Sequence, residues 1–168
     1  METRMNKALQ NKLFEKYPEI FVQKDLDKTQ TLMCWGITVG DGWYNIIDTL
    51  CYAIQQYCDE PHKDIVSYTK WLAKAKEDNE ELWAATCQER LDKAIQTAKT
   101  RPQIEAVQVK EKYGSLRFYV NHYDDKIRTL IDFAEDMSFC TCERCGSPGA
   151  PSTSGWIKVE CSRCKGEI

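Results

Sequence analysis

The feature that most constrains this chain lies near its carboxyl end. Cys142 and Cys145 form one C-x-x-C, Cys161 and Cys164 form a second, and fifteen residues separate the two pairs. Each pair can fold as a knuckle that aims two thiolates at one point, and Gly146 permits the tight backbone beyond the first pair. Four soft thiolates in a tetrahedron select zinc, and this spacing is that of a zinc ribbon. Because four protein ligands leave no open coordination position, the Zn2+ is expected to be structural and not to activate water. The segment has need of an ion: beyond Phe139 it carries Gly146, Pro148, Gly149, Pro151 and Gly155 with few aliphatics. Redox-active thiol pairs are the competing reading, but these require a helix amino end and an electropositive setting. Cys140, two residues before Cys142, is an alternative first ligand. Cys34, Cys51, Cys58 and Cys87 lack paired spacing, and Cys51 with Cys58, seven apart on a helix, read as small core residues.

The rest of the chain has to build an ordinary core. Its 168 residues are 42% hydrophobic, 11% aromatic and 29% charged, which excludes a disordered or collagen-like chain. Leu9, Leu13 and Phe14 recur at helical spacing within Met5 to Lys16, and Pro18 stops that helix. Asp41 can cap a core helix carrying Trp43, Ile46, Ile47, Leu50, Ile54 and Tyr57, which is expected to end near Pro61. Residues 63–100 turn rich in Lys, Glu and Ala and fit two helices broken near Asp78 and Asn79. Trp71 and Trp83 are expected to be buried there, against the body or a partner.

The period then changes from 3.6 to 2. Val107, Val109, Leu116, Phe118 and Val120 alternate with polar residues around the tight turn Lys112-Tyr113-Gly114-Ser115, a β-hairpin with one buried face. Asp124 or Asp125 caps a further helix through Ile127, Leu130, Ile131, Ala134 and Met137, and the run Gly155 to Glu160 suits a strand entering the second knuckle. The fold class is α+β: a helical body on a small antiparallel sheet over residues 1–138, with 63–100 as a charged helical insertion and a zinc ribbon at 139–168.

Candidate sites outside the cysteines are fewer. Lys110, Lys112 and Arg117 with Tyr113 and Tyr119 place cations and aromatic faces on the outer side and tip of the hairpin, a combination suited to phosphate plus a stacked base. Residues 101–123 hold four Lys/Arg against two Asp/Glu, within a chain of net charge −3. Gly40-Asp41-Gly42-Trp43 could instead present backbone amides to an anion, with Asp41 and Trp43 as its side chains, although a capped helix start explains the same residues. Asp48 is either solvated or a buried partner of Arg117. The acidic balance weighs against duplex DNA, and no apolar run approaches a membrane span. The amino end lacks a signal-peptide core, so a cytosolic location is expected. His62 and His122 sit in no catalytic motif, and no phosphate loop, G-x-S-x-G or H-E-x-x-H occurs.

Three dense blocks in fixed order, Gly40-Asp41-Gly42-Trp43 leading into Ile47 to Cys51, Val107 to Tyr119, and Cys142 to Gly149 with Gly155-Trp156-Ile157, resemble a family of small phage and prophage proteins. The resemblance covers about half of the chain and leaves out 63–100. It implies a phage-encoded protein of the host cytosol with a carboxy-terminal zinc module, and it carries over no residue's role. With the missing catalytic motifs, it leads to the expectation of a non-enzymatic accessory protein. Such a protein would act by binding a host defence protein or a small anionic, nucleotide-type signal. A nucleic-acid-binding zinc-ribbon regulator and an enzyme with dispersed site residues are the rival readings.

Overall fold

We describe residues 4–152 and 155–166 of a computed structural model. The chain forms two compact units, 1–55 with 104–168 and 56–103, and the boundary falls within one long helix. No helix among the described residues is long and apolar enough to cross a membrane.

In the first unit, α1 (Lys7–Lys16) starts where the Asn6 side chain accepts from the Ala8 amide and ends beside Pro18. Strand β1 (Ile37–Thr38) precedes a 3-10 turn, Asp41–Trp43, that feeds α2 (Tyr44–Glu77). The expected Asp41 cap is not formed. The Asp41 carboxylate instead accepts the Asn6 amide at 2.6 Å, tying the start of α1 to the start of α2. Strands β2 (Ala106–Lys112) and β3 (Ser115–Val120) make the expected antiparallel hairpin, and β1 joins β2 in parallel, Ile37 opposite Val109. A register shift between Ala106 and Gln108 corrects the alternation at one point. Ala106 and Val109 face the core, and Val107 between them is only half-buried.

Helix α4 (Asp125–Phe139), capped by Asp124 through the Ile127 amide, packs against β3. Its side chains occupy the outer edge of that strand: Ser138 Oγ accepts the Leu116 amide at 2.9 Å and Glu135 Oε1 the Phe118 amide at 3.2 Å. The Tyr123 hydroxyl takes the Val120 amide at 3.1 Å. Trp43, Phe21, Phe118, Leu13, Ile47 and Ile127 are fully buried and form the centre of this unit.

The second unit is a helical hairpin. The expected end of the helix near Pro61 is wrong, for α2 runs through Pro61 to Glu77. Pro61 has no amide to offer the Tyr57 carbonyl, four residues back. Arg101 supplies the donor: its guanidinium bonds the Tyr57 carbonyl at 2.7 Å and the Glu60 carboxylate at 2.9 Å, and lies 3.9 Å from the centroid of the Tyr57 ring. The break at Asp78 and Asn79 is as expected, with Asn79 in the left-handed region (φ 59°) before α3 (Glu81–Thr100). Trp71 and Trp83 are not buried. They are 44% and 41% exposed, and Leu72, Ala75, Cys87 and Ala94 fill the interior instead.

Candidate metal centre and hairpin face

The cysteine segment contributes little apolar mass to the core, and its order comes from backbone geometry around four sulfurs. Cys142, Cys145, Cys161 and Cys164 bring all four sulfurs within 4.8 Å of one another, and Cys145 Sγ lies 3.6 Å from Cys161 Sγ. A tetrahedral ion with metal–sulfur bonds of about 2.3 Å requires sulfur–sulfur edges of about 3.8 Å. The cluster has that size, and none of the cysteines is disulfide-bonded. The first knuckle closes with Gly146 at φ 75° and its amide on the Cys142 carbonyl at 2.8 Å. The second begins at Cys161, which caps the short α5 (Ser162–Lys165). The ladder of β4 (Ala150–Pro151) with β5 (Val159–Glu160) and a 2.9 Å bond from the Glu143 amide to the Val159 carbonyl hold the halves together. The strand expected from Gly155 is confined to Val159–Glu160.

The four thiols are electrostatically unequal. Hydrogen bonds from the Ser147 side chain and backbone pull the Cys145 thiol down to about 5. Hydrogen bonds with Cys145 and Cys161 push Cys164 up to about 12, so a bound ion would have to displace its proton. Cys140 stands outside the cluster, its thiol turned to the Met137 carbonyl at 3.2 Å at the end of α4.

Sequence reasoning missed what the Gly-Asp-Gly-Trp block does. It is the seat of the first knuckle. The Gly42 amide donates to the Glu143 carbonyl at 2.8 Å, the Gly40 amide to Glu143 Oε1 at 2.9 Å, and Trp43 Nε1 to the Thr141 carbonyl at 2.8 Å. A Cβ on Gly42 would lie 2.1 Å from the Cys142 carbonyl oxygen and 2.5 Å from the Gly146 nitrogen, so no other residue fits there. Glu143 is 5% exposed, and burial pushes its carboxyl above the usual range. The signal available in the sequence was the pair of glycines two apart, which marks close backbone approach as readily as anion binding.

These contacts settle the fate of several candidate residues. Trp43 is fully buried and Asp41 is bonded to the Asn6 amide, so neither presents an open anion site. Arg117 does not stand free on the outer face. Its guanidinium is held by Glu135 at 2.8 Å, Ser115 Oγ at 2.7 Å and the Leu116 carbonyl at 2.8 Å. Burial raises the Glu135 carboxyl, and the Phe118 amide and Arg117 oppose that shift. Asp48 is not the partner of Arg117; it accepts from Lys16 at 2.8 Å and from the Tyr17 hydroxyl at 3.0 Å. Lys110, Lys112, Tyr113 and Tyr119 remain on the hairpin surface, with Lys110 Nζ 5.7 Å from the Tyr119 ring centroid and Lys112 Nζ 5.4 Å from that of Tyr113. Compared with known proteins, the chain matches no family model, no curated protein and no solved structure.

Proposed function

We propose that this chain is a non-enzymatic phage accessory protein. In this reading it uses a structural Zn2+ as scaffold and works in the host cytosol by binding a partner, either a host defence protein or a nucleotide-type signal. The observation that carries the reading is the closed cluster of four cysteines seated on Gly40–Trp43. Four thiolates satisfy a tetrahedral ion completely, which suits a scaffold and leaves no position for substrate. The resemblance of the same blocks to phage proteins supports the source. The cationic and aromatic residues left on the hairpin support binding as the mode of action.

The test has two parts. Elemental analysis of purified protein is expected to return one zinc per chain. Expression in a bacterial host armed with a nucleotide-signalling defence is expected to raise the plating efficiency of a sensitive phage. Unchanged plating across hosts with different defences would overturn the antagonist reading, and metal-free folded protein would overturn the scaffold.

A further inference from the structure

We propose that the hairpin tip and the residues before the second cysteine pair together form a stacking surface for a base carrying a phosphate, as found in a nucleotide or a single-stranded nucleic acid. The proposal rests on the binding mode given above and names its ligand chemistry.

The first observation is Tyr113. It occupies the first central position of a two-residue turn with φ 55°, followed by Gly114 at φ 76°. Turns of this type prefer Asn, Asp or Gly because both central residues need positive φ. A tyrosine here bears backbone strain, and at 68% exposed its ring recovers little by packing. Strain held in an exposed aromatic is a pointer to use.

The second observation is where the tip rests. A Cβ on Gly114 would lie 2.5 Å from Ile157 Cγ2, so the absence of a side chain lets the tip sit directly on Ile157. The next residue, Trp156, is 74% exposed. Tyr113 and Trp156, both exposed rings, are thus the residues that immediately precede the two in contact, Gly114 and Ile157.

The third is charge. Lys112 lies against the Tyr113 ring, Lys110 against Tyr119, and Lys158 is exposed beside Ile157. The carboxylate of Glu111, in the strand leading into the turn, accepts the Gly114 amide at 2.6 Å. Each tyrosine has a lysine ammonium over one ring face, and cations paired with aromatic rings suit an anion joined to a planar ring. A duplex keeps its base faces stacked inside, and the chain's acidic balance opposes it.

The experiment uses the full zinc-loaded chain at low salt. Tryptophan fluorescence and anisotropy follow titration with ATP and with a labelled twelve-nucleotide oligothymidylate. Binding of at least one probe is expected, with Trp156→Ala and Tyr113→Ala each weakening it about tenfold or more and leaving zinc content unchanged. Tyr113→Asn is the sharper variant: it should melt higher than the parent, because Asn suits the turn, and still lose binding. ATP competing as well as the strand identifies a nucleotide ligand, and binding of the strand alone identifies single-stranded nucleic acid. Either result supports the surface. Failure of both probes, or variants that bind like the parent, overturns it, as does a host protein that binds this face when neither probe does. Plating protection that survives Trp156→Ala would overturn this surface and leave the accessory-protein reading standing.

Discussion

The bulkiest fully buried side chains among the described residues, Trp43, Phe21, Phe118 and Leu13 first among them, all belong to residues 1–55 and 104–168. Residues 56–103 bury Tyr57, Pro61, Leu72 and three small residues, Ala75, Cys87 and Ala94, and leave Leu82 86% exposed. One unit is held by large apolar groups around a sheet, with sulfur geometry securing its end. The other is held by helix propensity, small-residue contact and one arginine that repairs a proline. Burial of large side chains is worth more per residue than either device. The two units should therefore respond to the same kind of perturbation very differently.

Metal removal is the largest expected effect and the cleanest way to break the comparison. Structural zinc contributes on the order of 10 kcal/mol of binding free energy in small metal-dependent folds. Chelation, or Cys161→Ser, is expected to release the ion and expose the amides of 139–166 to hydrogen exchange, while those of α3 keep their protection. Equal loss of protection in both units would show that they fold as one. A core cavity comes next: Phe118→Ala should cost about 3–5 kcal/mol in chemical denaturation. Arg117→Ala should cost about 1–3 kcal/mol by leaving the half-buried Glu135 without its cation. Glu135→Gln should lose less than Arg117→Ala, because an amide still accepts from the Phe118 amide.

The proline repair can be sharpened by a double-mutant cycle. Arg101→Ala strips the donor from the Tyr57 carbonyl, and Pro61→Ala restores an amide in its place. The cost of Arg101→Ala should fall by about 1 kcal/mol in the Pro61→Ala background, and equal costs would show that the guanidinium does not repair the helix. At the small end, Leu82→Ser should change stability by no more than about 0.5 kcal/mol, since the residue buries almost nothing.

Much of this architecture is legible from the chain alone where a local rule decides it. The hairpin turn at Gly114, a cap at Asp124 or its neighbour Asp125 and the break at Asn79 follow from local backbone preferences, and the cysteine spacing gives the cluster directly. Pro61 misleads because the arginine that rescues its helix lies forty residues away, and no local rule can see it. Arg117 misleads for a related reason. Strand alternation puts it on the outer face, but its long side chain turns over the edge to meet α4. The Gly-Asp-Gly-Trp block misleads most, because its partners, the Glu143 carboxylate and the backbone of a knuckle, lie about a hundred residues further on, where no local rule can see them.

The edge of β3 has a consequence for how this protein can be recognised. Three alternate amides of that strand, those of Leu116, Phe118 and Val120, are already taken by Ser138, Glu135 and Tyr123. An extended peptide seeking to lengthen the sheet finds no free donor row there, and the opposite border is a strand of two residues. The sheet is closed to templating, whether by a ligand peptide or by a second copy in an aggregate. Specificity in this molecule is thereby handed to side chains and loops, whose sequence can drift toward a new partner without disturbing the ladder beneath.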